Sequence, residues 1–236
     1  MSSFTLPSGY ARIRLVGDFD TLVSTPFGAG VNALCWPRTL AGDFGEIVGQ
    51  LQAGEGITTI DDPWLRSLSL SEAGRMARDV LLQDQERLRA HGLAPSLDCI
   101  NGYSHHRHAE EIPTHVQSFH VDSATAAADT WLCTYVGPSS EGLRNDQASR
   151  RVDTPEIRAR LLERHGGKDD EDFVEYLAGS FHDLHYVPLP GAQPFSFGVG
   201  NLWRIACAYR GNPVPPFIHR APATIAGGPP RLLLIS

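Results

Sequence analysis

The stretch "DTWLCTYV" (129–136) constrains the fold more than any other part of the chain. On a strand, successive side chains point to opposite faces. Trp131, Cys133 and Tyr135 fall on one phase, and Leu132 and Val136 on the other. A strand that is apolar on both phases is covered on both sides. The 236-residue chain is long enough to bury a full core without disulfides or a structural metal.

The flanking sequence names the layers available. "YARIRLV" (10–16) and "VNALCW" (31–36) read as strands, and residues 39–52 read as a helix ending near Gly54. "SLSEAGRMARDVLLQDQERLRAHG" is the clearest helix. Ser69, three residues before Glu72, forms a capping box, and Gly92 suits the C-terminal cap. Met76, Val80 and Leu81 recur at helical spacing and read as a core stripe. From Leu97 the period shortens, with strand-like runs at "LDCINGY" and "HVQSFHV" before the doubly apolar strand. "DTPEIRARLLERHGG" has Thr154 as N-cap, Pro155 at the first helical position and Gly166 past the end. "DDEDFVEYLAG" is acidic in its first turn, as the helix dipole favours. Strands return with "LHYVPL", "FSFGV", "LWRIACAY", "PFIHRAP" and "RLLLIS". Prolines at 213, 215, 216, 222, 229 and 230 suit strand-edge turns and exclude terminal helices. The expectation is an α+β fold in a single domain over 1–236. A helix-rich part covers about 1–95, and a β-rich core about 96–236 carries a helical insertion at about 143–185.

Composition removes several function classes. Net charge is −7, and the basic residues form no block, so nucleic acid is not expected as a partner. The four cysteines lie far apart with no CxxC, and three sit in apolar runs where free Cys behaves as a small buried hydrophobe. The opening "MSSFTLPSGYARIRL" lacks a charged region followed by an apolar one, and no run is long enough to span a membrane. A cytoplasmic protein with reduced thiols and no membrane partner is expected. "GPSSEGLRND" lacks the spacing and the Lys of a phosphate loop, and there is no GxSxG elbow.

The polar residues of "SFHVDS" (118–123) carry the chemistry. Phe119 and Val121 share one face of a strand, and Ser118, His120 and Asp122 share the other. The pair is expected on a neighbour of the doubly apolar strand. If its polar face points inward, an unpaired Asp costs several kcal/mol, which a bound metal would remove. Two His and one carboxylate are the ligand set of non-haem Fe(II) oxygenases. His219, between Phe217, Ile218 and the turn that follows, is the best third ligand. Arg231 leads a wholly apolar run, as either a water-exposed strand end or a guanidinium fork that grips a carboxylate.

Taken together, "HVD", "CTYVGPSSEGL", "VPLPGAQPFSFGVG", "HRAP" and Arg231 resemble the double-stranded β-helix core of Fe(II)/2-oxoglutarate-dependent oxygenases. More narrowly, "FHVD…WLCTYVGPSSEGL…IHRAP" is similar to an uncharacterised bacterial family, domain of unknown function 1826. The resemblance implies a jelly-roll-like (cupin-like) core with flanking helices. It implies His120, Asp122 and His219 as ligands of a catalytic Fe(II), with O2 and 2-oxoglutarate as co-reactants and a small molecule as substrate. Arg231 would bind the distal carboxylate of 2-oxoglutarate. Arg204 and Arg220 are alternative carboxylate binders, although Arg220 should face away from its neighbour His219. Trp131, Tyr135, Arg144 and Trp203 are candidate pocket residues by side-chain type. "HHRH" (105–108), with Glu110 and Glu111, reads as a solvated loop able to hold zinc or nickel weakly. His115 is expected on the face opposite His120, and His182 and His185 read as structural. An oxygenase that does not use 2-oxoglutarate, a metal-handling protein with the same triad, and a metal-free ligand-binding jelly roll stay open at this point.

Overall fold

The computed structural model describes residues 4–102, 112–223 and 228–236. In chain order its strands are β1 (Ile13–Leu15), β2 (Ala33–Trp36), β3 (Gly56–Thr59), β4 (Ser96–Asn101), β5 (Asp129–Val136), β6 (Glu141–Leu143), β7 (Ala148–Arg150), β8 (Tyr186–Pro188), β9 (Phe195–Ser196), β10 (Leu202–Ala206), β11 (Ile218–Arg220) and β12 (Arg231–Ile235). The helices are α1 (Phe19–Ser24), α2 (Phe44–Leu51), α3 (Asp62–Ser67), α4 (Glu72–Ala90), α5 (Pro155–His165) and α6 (Glu171–Gly179).

Among the described residues, seven strands form one sheet in the order β1-β2-β10-β5-β12-β4-β3. Its neighbours pair antiparallel, except β1 with β2. The doubly apolar strand is β5, at the centre of this sheet, and its residues 130–135 are all buried. Trp131, Cys133 and Tyr135 pack with Leu22 of α1, Ile47 of α2, Leu65 of α3 and Leu81 and Leu88 of α4. Leu132 packs on the other face with Trp203, Leu233, Phe197 and Phe217. Phe197 follows β9 and Phe217 precedes β11, two strands of a smaller sheet ordered β11-β6-β9. Phe197 stacks on Trp203 with ring centroids 4.4 Å apart, and each large buried side chain of this kind contributes about 1.5–3 kcal/mol. The smaller sheet therefore covers the face that the helices leave.

Val136 departs from the expected alternation. β12 pairs Leu232 with Val136 and Leu233 with Thr134, so Tyr135 is an extra residue in β5. Such a bulge breaks the strict alternation, and Tyr135 and Val136 both pack on the helix side.

α4 begins differently from its expected capping box. Ser71, not Ser69, is the N-cap, and its hydroxyl accepts from the Gly74 N–H. Glu46 of α2 takes both the N–H and the hydroxyl of Ser71, a partner that no local sequence window contains. Met76 leaves the core stripe and is 48% exposed; the buried face uses Gly74, Ala77, Leu81, Asp84, Gln85 and Leu88. α5 opens at Pro155 after Thr154 and ends at Gly166 in a left-handed cap, as its sequence dictates. α5 and α6 share a small core of Leu161, Phe173 and Leu177 with Val152 and Ile112. Among the described residues no helix is long and apolar enough to cross a membrane.

Candidate metal centre

The expected strand over 115–121 does not form a ladder, and it does not neighbour β5, whose partners are β10 and β12. Residues 115–118 make a turn closed by the Ser118 N–H donating to the His115 carbonyl. Beyond it the chain runs between β11 and the approach to β8. His120 and His219 exchange two backbone hydrogen bonds of 2.9 Å, the Val121 N–H donates to Leu184 O, and the Tyr186 N–H donates to Phe119 O. Alternation survives in this short segment. Phe119 and Val121 pack with Leu143 and Ile218, while His120 and Asp122 turn the other way.

The ligating atoms of His120, Asp122 and His219 all lie within 4.8 Å of one another. His120 Nε2 is 3.7 Å from Asp122 Oδ1, and His219 Nε2 is 3.5 Å from Asp122 Oδ2. These separations are too long for hydrogen bonds. Bonds of about 2.1 Å to one cation would set neighbouring donors about 3.0–3.4 Å apart, so the two His–Asp separations need only slight closure. His120 Nδ1 lies 2.8 Å from Ser118 O, a carbonyl that can only accept. The ring proton therefore sits on Nδ1, and Nε2 presents its lone pair. Burial, then the nearby His219 ring, pushes His120 down to about 4, so the imidazole is neutral at pH 7. Burial works against the Asp122 carboxylate, but His219, the Thr130 hydroxyl and His120 more than offset it, and the acid sits below its ordinary value. Two imidazoles and one carboxylate, N, N and O, fit a divalent first-row metal.

Sequence reasoning missed the residues that frame this group. Arg151 donates to the Ser118 hydroxyl at 2.5 Å, and that hydroxyl lies 3.2 Å from His185 Nδ1. An arginine can only donate, so the Ser118 hydroxyl accepts there and keeps its own proton free to donate. Burial, then His120 and Arg151, pushes His185 down to about 3. His185, read as structural, thus sits against a candidate ligand, its ring centroid 5.7 Å from that of His120. Thr130 donates to Asp122 Oδ2 at 2.5 Å. Gly142 pairs with His219 in the small sheet, and a Cβ there would meet the Phe195 ring at 2.4 Å. Only glycine lets β6 approach so closely.

The arginines separate. Arg231 is 4% exposed and shares the inward phase of Leu233. Its Nη2 donates to Ser140 Oγ at 2.7 Å and to Thr134 Oγ1 at 3.2 Å. Gly137, at φ +82°, turns the chain against the entry to β12, where a Cβ would meet Pro230 O at 2.9 Å; this turn carries Ser140 to the guanidinium. Arg204 lies on the helix side, pairing with Asp129 and donating to the carbonyls of Leu22, Val23 and Thr25 at the end of α1. Arg220 faces away from the triad, as expected, pairing with Glu141 at 2.6 Å over the Phe119 ring.

The pocket candidates do not converge. Trp131 and Tyr135 face the helices. Trp203 is fully buried among Phe4, Phe197 and Phe217. Arg144 pairs with Asp146 beside the Tyr10 ring. The "HHRH" tract, Glu110 and Glu111 lie outside the described residues. All four cysteines are free and buried. The chain matches no family model, no curated protein and no solved structure.

Proposed function

We propose that this chain is a non-haem Fe(II) oxygenase that oxidises a small molecule with O2 and 2-oxoglutarate, built on a double-stranded β-helix core. The observation that carries the reading is the convergence of His120, Asp122 and His219 within 4.8 Å, with the lone pair of His120 turned toward the carboxylate. Arg231 supports the choice of cosubstrate. Its buried guanidinium lies on the inward phase of β12, and its planar fork matches a carboxylate. Thr134, which holds Arg231, and Thr130, which holds Asp122, are four residues apart on β5, about 13 Å along the strand. The small sheet facing the large one supports the β-helix assignment.

Bound iron would contribute redox chemistry and open coordination positions. The protein's own part is to hold three ligands to one side, keep both imidazoles available, grip the far carboxylate and exclude water through Phe197, Phe217 and Leu233. Anaerobic addition of Fe(II) and then 2-oxoglutarate tests the reading. A visible charge-transfer band in the wild type, lost in His120→Ala and weakened in Arg231→Ala, is expected. Iron binding without the band would point to an oxygenase with another co-reactant or to metal handling. Absence of binding would overturn the metal reading altogether.

A further inference from the structure

The segment that carries Asp122 has little regular pairing to hold it. Ser123 makes one isolated bridge to Ala208, the Ala208 N–H donates to Asp122 O at 2.7 Å, and the Ala124 N–H donates to Ala208 O at 2.9 Å. Backbone lacing fixes where the residue sits but not how its carboxylate is turned. The Asp122 side chain is 32% exposed and could rotate toward water.

Two side chains from the large sheet and its exit oppose that rotation. Thr130 Oγ1 lies 2.5 Å from Asp122 Oδ2 and 3.2 Å from Cys207 Sγ. Counting protons sets the direction. An ionised carboxylate only accepts, so the single hydroxyl proton of Thr130 goes to Oδ2. The contact with Cys207 then has the thiol as donor. Burial pushes the Cys207 thiol up to about 11, so it keeps that proton at pH 7.

We propose that Thr130 and Cys207 are positioning residues, a thiol-to-hydroxyl-to-carboxylate chain that pins Asp122 through Oδ2 and presents Oδ1 as its single metal-binding oxygen. The inference rests on the metal reading above. It goes beyond it by setting how many positions the carboxylate fills: one oxygen engaged leaves an extra site open for reactants, whereas two would close it. Ligating carboxylates depend on such outer hydrogen bonds, whose loss typically costs about 10–100-fold in metal affinity.

Co(II) titration of the metal-free full chain, followed by its visible spectrum and by competition with a chelator, tests this. Thr130→Val should lower Co(II) affinity by about 10–100-fold and alter band intensity, with Thr130→Ser restoring both. Cys207→Ala should show a smaller loss and Cys207→Ser little or none. Urea unfolding of each metal-free variant separates positioning from folding. If Thr130→Val does not fold, the contrast between Cys207→Ala and Cys207→Ser decides. Wild-type affinity and spectrum in Thr130→Val, or in Cys207→Ala when that contrast must decide, would overturn the proposal while the triad stands. A wild-type protein that binds no Co(II) would overturn both.

Discussion

β5 presents one buried polar system to each of its faces, and the two are built differently. On the helix side, Arg38 and Asp84 pair at 2.8 Å with 6% and 1% of their side chains exposed. The Tyr135 hydroxyl donates to Asp84 at 2.7 Å, and Arg38 Nε donates to Gly200 O at 2.8 Å. Charges there are consumed by each other at hydrogen-bond distance. On the other side, Asp122 stands 3.5–3.7 Å from His219 and His120, all three ligating atoms lie within 4.8 Å, and His120 is anchored from behind by Ser118 O. The first arrangement is a closed pair, whose role is to fix how α4 sits on the sheet. The second is a set of acceptors held near one point, which gains only when a cation arrives. Distance distinguishes them where residue type does not, since each contains an Asp beside a basic group.

The sharpest break in this comparison comes from His219→Ala. Losing a ligand should reduce Co(II) or Fe(II) affinity by more than about 100-fold, beyond the usual cost of an outer hydrogen bond. Urea unfolding of the metal-free protein should change by only about 1–2 kcal/mol. The closed pair should show the reverse. Asp84→Ala leaves Arg38 buried and uncompensated, so the urea midpoint should fall by an amount equivalent to about 3–5 kcal/mol, with metal affinity preserved in the folded protein. Replacing both partners with Arg38→Met and Asp84→Leu should cost much less than Asp84→Ala alone.

Acid should weaken the open site. Burial holds His120 at about 4 and His185 at about 3, while both titrate near the ordinary value of about 6.5 when unfolded. Below about pH 6.5 the unfolded chain binds protons that the folded chain refuses. Stability of the metal-free protein is therefore full above that pH and declines by a few kcal/mol as pH falls toward about 4. Unfolding midpoints across pH 7 to 4 measure it, and flat midpoints would show that the two rings are not held neutral. Arg231→Lys keeps a charge but loses the fork, so 2-oxoglutarate affinity should drop by about tenfold with the fold intact, as read from the charge-transfer titration. Met76→Ala, on the exposed face of α4, should move the urea midpoint by no more than about 0.5 kcal/mol.

Much of the large sheet was legible because its signals are local. β5 spans the full quoted run, β2, β10 and β12 fall within theirs, and β4 begins one residue before its own. β3 and the short helices α1 and α3 were not anticipated. β3 is an edge strand of only "GITT", and α1 and α3 are six residues each, too short for periodicity to show. The triad was legible as residue types: a carboxylate and two imidazoles that would be costly to bury alone. Its frame was not. Thr130 lies eight residues from Asp122, Arg151 lies 33 from Ser118, and Cys207 lies 77 from Thr130. One trace was available: Thr130 and Thr134 are hydroxyls on the inward phase of an otherwise apolar strand, and each holds a candidate site residue.

The sequence by itself determined that a central strand is covered twice, where α4 to α6 lie, and which three side chains could share a cation. These follow from periodicity, caps and ligand chemistry, which neighbouring residues carry among themselves. Only the tertiary structure decided that "SFHVDS" bridges to β11 rather than pairing with β5, that Ser71 caps α4 through Glu46, and that Arg231 turns inward while Arg204 and Arg220 turn away. Those choices depend on which surfaces meet after the chain closes loops of tens to over a hundred residues. Their energies are hydrogen bonds and burial between segments that no local pattern links.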